Sequence, residues 1–409
     1  MFFQTGPGGL SLYHSIQKNL NQAGTKFKVK IFERESSPHD RYQGCIMNIY
    51  KFGVSSLFYS LPTEVQARLP DAMPDPIPNI ERHGLDVFDH TGKKLLEMPV
   101  YKYKNVFEFV QLKQKLPWFF IYRNTLREIL LNDVDVQWGK KCIRYEETDE
   151  GVCAIFEDGS REFGNLLVGA DGINSPIRMQ KMPNLQVKDS GVSYVVTDVY
   201  PTKKLANQLI SICGNCIAQE SIGQKGDNHI TLMRLIPIKS ELENREDQIY
   251  YRFTLMYCEL TDTLLELWSL VPTDTPESMA KTPFKMSIYP KIRQMIDIDP
   301  LSVTSWETSR VILLGNSVTF QDIESLTNEL LRYESDGWKV CIQRYEQEMR
   351  ARSSKISLKS TSMLLLTIKE YGYFGIIVRN LIYKVFNVLI SCLPYDLVDR
   401  LFCNLYGVE

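Results

Sequence analysis

Near the start of the chain, the hydrophobic pattern predicts a helix that follows a glycine-rich turn and precedes a strand. The turn is Gln4-Thr5-Gly6-Pro7-Gly8-Gly9, and His14 falls on the helix, where we expect it at the surface. Lys28 to Phe32 reads as a strand that ends at Glu33. The apolar positions of the helix recur at helical spacing: Leu10, Leu12, Tyr13, Ile16 and Leu20.

The same reasoning predicts further strands and a short helix before residue 190. Leu166–Val168 predicts a buried strand that leads into a second turn, Gly169-Ala170-Asp171-Gly172. Tyr122–Leu131 has helical periodicity, with Asn124 as the expected N-cap and Leu126, Ile129 and Leu130 facing inward. Three segments predict a β-meander: Val134–Trp138, Lys141–Glu147 and Val152–Glu157. Two more predict a hairpin, Gly84–His90 and Lys94–Met98, whose sheet the weakly alternating Val106–Leu112 would join.

After residue 190, longer strands are predicted, together with one helix near Leu264–Leu270. The strands are Val192–Val199, Ile230–Ile236, Gln248–Cys258 and the fully apolar Val311–Leu314. Arg234, Tyr251 and Arg252 are candidates to meet a phenolate or carboxylate. Alternation along half-exposed strands would place polar side chains there as well, and both interpretations stay open.

Residues 371–393 are strongly apolar and end before Pro394. Their polar residues form one narrow stripe on a helix, with Arg379 beside it: Asn380, Lys384, Asn387 and Ser391. Such a helix can pack on the protein body, lie at a membrane interface or span a bilayer. A span would place Arg379 and Lys384 near mid-membrane, at ~2.5–3.5 kcal/mol each on insertion scales.

Composition indicates a globular chain of more than one domain. The 409 residues are 44% hydrophobic and 23% charged, and the net charge of -2 leaves no basic footprint for nucleic acid. The start has no secretory signal pattern, and nine cysteines spread thinly over the chain favour reduced thiols in the cytoplasm. The spacing of cysteines and histidines indicates no metal site, and no Ser/His/Asp constellation indicates a catalytic nucleophile.

The order of turn, helix, strand and acid has a chemical meaning in dinucleotide folds. Glycines let the backbone approach a pyrophosphate, the helix N-terminus offers unpaired amides, and an acid further along accepts ribose hydroxyls. Glu33 has the spacing of that acid. One glycine-rich turn alone is as often an ordinary loop, whereas its combination with the second turn at residues 169–172 is more specific.

Six motifs, in this order, resemble the single-component FAD-dependent monooxygenases of the aromatic hydroxylase (p-hydroxybenzoate hydroxylase-like) family: GPGGLSL, FERESS, RYQG, YRNTLREIL, LLVGADGINSPIR and RVILLGN. The match spans roughly residues 4–190 and 306–316, with weaker agreement at 338–352. The resemblance implies an α/β fold with a Rossmann-like FAD-binding domain, a mixed β-sheet substrate domain and a helical C-terminal tail. The implied FAD-binding domain is discontinuous (1–83, 113–190 and 300–360), the substrate domain is 84–112 and 191–299, and the tail is 361–409.

The resemblance also implies a set of cofactor-binding residues, without a catalytic side chain or a metal. The glycine turn and the acid hold the adenosine half of FAD, and Arg123 lies against the flavin and its phosphates. Asp171 serves the pyrophosphate and the reduction by NADPH, while Asn316 stands where the family has an aspartate on the ribityl chain. The full set is Gly6, Gly8, Gly9, Glu33, Arg34, Arg41, Gly44, Arg123, Asp171, Gly172, Gly315 and Asn316.

Three departures from the family pattern lead to expectations of their own. Only Met1, Phe2 and Phe3 precede Gln4, so we expect the sheet to lack its first, central strand. Gln4 replaces the first glycine, which brings phosphate contact into question. No glycine or proline lies between Asn316 and Gly337, so we expect the Gly-x-Gly helix start, with its dipole toward the flavin, to be missing.

The activity that the resemblance implies is hydroxylation of a small aromatic substrate by FAD, with NADPH or NADH as transient reductant and O2 as the source of oxygen. Two alternatives stay open. An N-terminally truncated and internally shortened chain, or a drifted one, would be a degenerate pseudoenzyme with an FAD fold. The helix at 371–393 would instead favour a membrane-associated interaction protein.

Overall fold

The computed structural model describes residues 2–3, 5–21, 24, 27–40, 46–73, 82–89, 92–97, 105–113, 118–172, 174–184, 192–199, 201–213, 216–222, 229–237, 251–260, 315–368 and 371–406. Within these ranges the strands are β1 (Phe2–Phe3), β2 (Lys30–Phe32), β3 (Ile46–Tyr50), β4 (Arg82–Asp89), β5 (Lys94–Glu97), β6 (Trp118–Tyr122), β7 (Val136–Gln137), β8 (Cys142–Thr148), β9 (Gly151–Phe156), β10 (Arg161–Gly164), β11 (Val192–Val199), β12 (Cys216–Ile222), β13 (His229–Pro237) and β14 (Tyr251–Leu260). The α-helices are α1 (Pro7–Ser15), α2 (Lys51–Ser60), α3 (Thr63–Arg68), α4 (Val106–Gln111), α5 (Arg123–Leu131), α6 (Pro176–Lys181), α7 (Lys203–Cys213), α8 (Gly315–Leu330), α9 (Tyr333–Asp336), α10 (Trp338–Ile368), α11 (Tyr373–Cys392) and α12 (Tyr395–Tyr406).

The chain divides into two compact units, and its α/β class is as predicted. The first unit comprises Met1–Met73, Asn105–Lys188 and Leu314–Ile356. The second comprises Pro74–Lys104, Asp189–Leu313 and Ser357–Glu409. The domain boundaries drawn from the sequence stay a prediction.

The first unit contains a parallel sheet of strand order β1-β2-β7. Phe2 and Phe3 pair with Lys30 and Ile31, so the expectation that this sheet lacks a strand before the glycine turn is wrong, although the strand is only two residues long. The second correction concerns β7, predicted as part of the meander. It joins the parallel sheet because the other edge of β2 is open to it, and Ile31 pairs with Val136.

The antiparallel meander is β10-β9-β8, so its third strand is 161–164 rather than 134–138. Its apolar face packs on the parallel sheet, with the rings of Phe32 and Phe156 4.7 Å apart between centroids. Leu167 packs against this same core, but the predicted buried strand 166–168 is reduced to a single bridge at Leu167 between half-buried neighbours. The turn after it is therefore anchored by packing rather than by a full strand.

Two local predictions in the first unit are wrong for reasons of capping. Residues 106–111 form α4 rather than a strand, because the Asn105 side chain accepts a hydrogen bond from the backbone N–H of Glu108 at 3.0 Å. Val106 and Phe109, three apart, are both buried, which is helical spacing. α5 begins at Arg123 with Tyr122 as its N-cap, so Asn124 lies inside the helix.

His14 is buried rather than exposed, contrary to the sequence prediction. Its Nε2 lies 2.9 Å from the backbone carbonyl of Leu130, so Nε2 donates and α1 is tied to the end of α5. Burial lowers the pKa of His14. The three inward positions predicted for α5 are confirmed, since Leu126, Ile129 and Leu130 are all buried.

α8 corrects the expectation of a missing helix start. A 16-residue helix begins directly at Gly315 without a Gly-x-Gly turn, and it buries Phe320, Ile323, Leu326 and Leu330 along one side. Its first turn is fixed to the end of β3, where the backbone N–H of Tyr50 donates to the hydroxyl of Ser317 at 3.0 Å. A helix N-terminus, with the partial positive charge that it carries, is therefore present at Gly315.

The second unit is built on a six-stranded mixed sheet of order β11-β14-β13-β12-β4-β5. Only the β12–β4 pair is parallel among the pairs of this sheet within the described residues. β11, β13, β14 and the β4–β5 hairpin were expected, whereas α7 and β12 were not. The predicted helix at 264–270 and strand at 311–314 lie outside the described residues, as do the side chains of Arg234, Tyr251 and Arg252. α11 packs on β5, and α12 follows it.

Candidate functional site

The predicted acid lies directly against the glycine-rich turn. The Glu33 side chain, at the end of β2, is buried, and its Oε2 accepts hydrogen bonds from the backbone N–H of Thr5, at 3.0 Å, and from the Thr5 hydroxyl. Its Oε1 accepts from the backbone N–H groups of Arg34, at 2.9 Å, and Glu35, at 3.4 Å. A carboxylate offers about four acceptor positions, and all of these positions on Glu33 are taken by the chain itself.

A buried arginine that the sequence analysis missed completes this arrangement. Arg127 on α5 is 3% exposed, and its guanidinium donates to the carbonyl oxygens of Thr5, at 3.2 Å, and Pro38, at 2.7 Å, and to the hydroxyl of Thr5, at 3.1 Å. Its Nη2 also lies 3.6 Å from a carboxylate oxygen of Glu35, and its guanidinium lies over the ring of Trp138. Arg127 therefore holds together the glycine turn, the end of β2 and the loop that follows.

The second turn meets the first. A β-carbon built on Gly6 would lie 3.8 Å from the carbonyl oxygen of Ala170, so the backbones of the two turns are neighbours. Gly6 is the N-cap of α1, and Pro7 fills its first position. Gly172, at φ +80°, has the left-handed conformation that favours glycine and closes the second turn.

Asp171 in the second turn carries the most unusual polar atoms of the site. Both of its carboxylate oxygens are buried, and neither has a hydrogen-bond partner in the structure. Burial raises the pKa of Asp171; the nearby Ser175 side chain and the charges of Arg34 and Arg178 oppose this rise without cancelling it. The Ser175 hydroxyl, which favours the ionised form of Asp171, itself accepts a hydrogen bond from the backbone N–H of Arg178 at 2.9 Å.

The remaining predicted residues have different placements. Gly8 and Gly9 lie in the first turn of α1, and a β-carbon on Gly8 would be 2.7 Å from Cγ2 of Thr319 on α8, so Gly8 permits a close helix–helix approach. Arg123 is the half-buried first residue of α5, one turn before Arg127. Gly315 and Asn316 begin α8, but the Asn316 side chain is outside the described residues, as are Arg41 and Gly44 altogether.

Asp171 and the start of α1 are suited to a dinucleotide such as FAD, whereas Glu33 at the other end of the site is not. Two buried acceptor oxygens without partners suit a ligand that brings hydroxyl groups, because such a ligand would satisfy them. The amides at the start of α1 suit a phosphate. Glu33 has no acceptor position left for ribose hydroxyls unless the Thr5 hydroxyl turns away. No group of three His, Cys, Asp or Glu side chains that could hold a metal is found among the described residues.

No family model matches the chain, but individual proteins do. An FAD-dependent monooxygenase, thnD of Trichoderma harzianum, is 30% identical over 178 residues, which cover 43% of this chain and 38% of that protein. Another, phnB of Penicillium herquei, is 28% identical over 210 residues, covering 46% and 47%. The chain therefore matches less than half the length of these curated relatives.

Solved structures share the fold over much more of the chain. A putative FAD-containing monooxygenase from Photorhabdus luminescens covers 90% of this chain and 98% of its own, at 21% identity and a TM-score of 0.62. HpxO of Klebsiella pneumoniae, solved with FAD and uric acid, covers 100% and 97%, at 15% identity and a TM-score of 0.66. Over the matched part, the sequence of this chain is thus similar to those of FAD-dependent monooxygenases, and over most of its length the chain shares the fold of these solved structures.

Proposed function

We propose that this chain is an FAD-dependent monooxygenase that hydroxylates a small aromatic substrate, with NADPH or NADH as reductant and O2 as the oxygen source. The observation that carries the proposal is Asp171, whose two buried oxygens lack partners beside the glycine turn at Gly6. The sequence relatives, which match less than half their length, are FAD-dependent monooxygenases. HpxO, which shares the fold, was solved with uric acid, a planar ring compound.

In this proposal the chain binds and orients the cofactor, and the reaction requires no side-chain nucleophile. When bound, FAD supplies the redox chemistry that introduces one oxygen atom into the substrate. The amides of Gly6 and the first turn of α1 offset the pyrophosphate charge, and Asp171 accepts hydrogen bonds from hydroxyl groups of the cofactor. The charges of the exposed Arg34 and the half-buried Arg178 oppose the rise in the pKa of Asp171, and an ionised carboxylate is the stronger acceptor.

The test is flavin retention. Purified chain is incubated with excess FAD and desalted, and the visible spectrum is recorded for the wild type, for Asp171→Asn and for Asp149→Asn, a matched change at an exposed turn position. The proposal predicts a flavin spectrum in the wild type and the control and its loss or marked weakening in Asp171→Asn. NADPH and NADH oxidation with candidate phenols follows.

Colourless, soluble wild-type protein would contradict the proposal and leave the degenerate FAD-fold alternative. Equal flavin retention by Asp171→Asn would show that the turn at 169–172 is not where the cofactor is held. Retained flavin without stimulation of NAD(P)H oxidation by any aromatic compound would support a binding protein rather than an enzyme.

A second candidate role is membrane contact through residues 371–393, on a protein of the cytoplasm. By length and composition, α11 could cross a membrane, and it is the one helix within the described ranges for which this is so. Only 11% of its most apolar window is buried. Flotation of the full chain with lipid vesicles tests this role, and recovery of all protein at the bottom of the gradient would exclude it.

A further inference from the structure

Besides the side that packs on its own unit, α11 has a second apolar side, which is exposed. Large apolar side chains along its outer side are 38–76% exposed: Phe374, Ile377, Val378, Leu381, Ile382, Val385, Val388 and Leu389. They recur at spacings of three and four residues and so form one continuous stripe on the helix. We name these eight residues the outer stripe. Contiguous exposed apolar surface of this kind marks an interaction site in a folded protein.

Two residues of the polar stripe predicted from the sequence, Asn380 and Asn387, are half-buried, whereas Lys384 and Ser391 are exposed. The side-chain oxygen of Asn387 accepts a hydrogen bond from the backbone N–H of Glu97 on β5 at 2.8 Å. One turn on, Ile390 is the buried residue of the helix, and Arg379 and Asn380 at the other end are half-buried. α11 is thus attached to its own unit by its half-buried side, through Asn387 and Ile390 among others, and the outer stripe on the other side stays exposed.

The charge of this segment is of one sign. Residues 371–395 contain Arg379 and Lys384 and no aspartate or glutamate. Lys384 is exposed and lies three residues after Leu381 and four before Val388, so it borders the outer stripe on the side of the polar residues. A lysine among exposed apolar side chains can keep its ammonium group at a lipid headgroup while its stem lies along apolar surface.

We propose that α11 lies in the plane of a membrane surface containing anionic lipids, with the outer stripe at the boundary of headgroups and acyl chains. The proposal rests on the membrane contact named above and adds its geometry and its lipid class. A spanning helix would have to break the Asn387–Glu97 hydrogen bond and bury both cations in hydrocarbon, whereas an in-plane helix keeps all three features. A second copy of the chain is a poorer occupant, because a two-fold contact centred on the outer stripe would bring Lys384 near its own copy.

The test is co-sedimentation of the full chain with vesicles of phosphatidylcholine, with and without phosphatidylserine. Leu381→Glu combined with Val388→Glu places two charges in the outer stripe. Leu331→Glu combined with Val340→Glu makes the same two changes at apolar residues that are each 44% exposed outside α11. We expect the first pair to weaken the vesicle partition coefficient by more than about tenfold. The second pair, with the same change of net charge, is expected to stay close to the wild type.

Lys384→Glu tests the lipid class separately. It should weaken binding to phosphatidylserine-containing vesicles by about tenfold and leave binding to pure phosphatidylcholine little changed. Circular dichroism checks that each variant keeps its helices, and all the substituted positions are exposed.

Failure of the geometry is distinguishable from failure of membrane contact itself. Wild type that binds no vesicle would overturn both. Wild type that binds, with undiminished binding of Leu381→Glu/Val388→Glu, would overturn the outer stripe alone. Bound protein that resists extraction at alkaline pH would show a span. Loss of a dimer in those variants, measured by light scattering, without loss of vesicle binding would identify a second copy as the occupant.

Discussion

Thr5 donates both its backbone N–H and its hydroxyl to the same carboxylate oxygen of Glu33. The acid that the sequence predicts as a ribose ligand is therefore hydrogen-bonded to the glycine turn itself. Because the Thr5 hydroxyl also accepts from Arg127 at 3.1 Å, one small side chain connects a buried anion with a buried cation. Any ligand that uses Glu33 must compete with this arrangement.

Replacement of Thr5 by valine keeps the shape of the side chain and removes the hydroxyl. Glu33 and Arg127 each lose one buried partner, so we expect the free energy of unfolding to fall by about 1–3 kcal/mol. Thr5→Ser retains the hydroxyl and should remain close to the wild type. Urea denaturation of the two variants measures the difference, and equal stability would show that the hydroxyl contributes nothing.

Arg127→Met should be among the most destabilising single changes in the first unit. It leaves the Thr5 and Pro38 carbonyls without this donor and Glu35 without its buried cation, at about 3–5 kcal/mol for a broken buried pair. Arg144→Met is the matched control, because Arg144 is half exposed and its ion pair with Glu146 is worth about 0–1 kcal/mol. Comparable losses in both variants would contradict the role given to Arg127.

The acid of this cluster could be predicted from sequence, whereas its arginine could not. Glu33 ends an apolar strand at a spacing with a known use, so the local pattern was sufficient. Arg127 sits between Leu126 and Ile129 in a helix, and a charged residue at such a position is usually solvent-facing. Its partners are 89 and 122 residues away in the chain, a distance over which a single sequence gives no information.

Gly8→Ala tests the close approach of α1 and α8. The added β-carbon would lie 2.7 Å from the Thr319 methyl, and we expect overpacking to cost about 1–3 kcal/mol. Thr319→Ser removes that methyl and keeps the hydroxyl, so Gly8→Ala combined with Thr319→Ser should recover most of the loss. A double-mutant cycle by urea denaturation measures the coupling, and strictly additive effects would contradict the contact.

Contacts between distant elements also explain the errors of local reasoning at His14 and α8. His14 lies among apolar positions on α1, and the carbonyl of Leu130, at the end of α5, gives it a buried partner. α8 lacks the glycine turn that usually starts the equivalent helix. It begins at Gly315 all the same, because its apolar side packs inside the unit and Ser317 accepts from Tyr50. Propensity and motif rules describe neighbours in sequence, whereas these residues depend on neighbours in space.

His14 predicts a pH dependence of stability. Burial lowers the pKa of His14 below its usual 6.5, so the unfolded chain binds the proton first as the pH falls. The free energy of unfolding therefore has its full value above about pH 6.5, and it falls as the pH drops from there through the lowered pKa of His14 in the folded state. His14→Gln cannot titrate but can still donate to Leu130, so its stability should fall less between about pH 7.5 and 5.5. His39→Gln, at an exposed position, should follow the wild type.

We expect Asp171→Asn to raise the stability of the flavin-free protein and to weaken cofactor binding. Burial raises the pKa of Asp171 above its usual 3.8, so the folded chain holds its proton more tightly than the unfolded chain. Stability of the flavin-free protein should therefore fall as the pH rises through the window above 3.8, and at neutral pH the buried charge is a cost. Removing the charge should stabilise flavin-free protein by about 1 kcal/mol or more.

The same substitution should reduce the stabilisation that added FAD provides, because a ligand stabilises a protein in proportion to its affinity for the folded state. Thermal unfolding with and without FAD measures both effects, with Asp149→Asn as the exposed control expected to change stability by no more than about 0.5 kcal/mol. A flavin-free Asp171→Asn protein less stable than the wild type would mean that Asp171 is a structural partner in the turn. A more stable variant that FAD no longer stabilises would mean that the turn keeps an unpaired carboxylate for the cofactor.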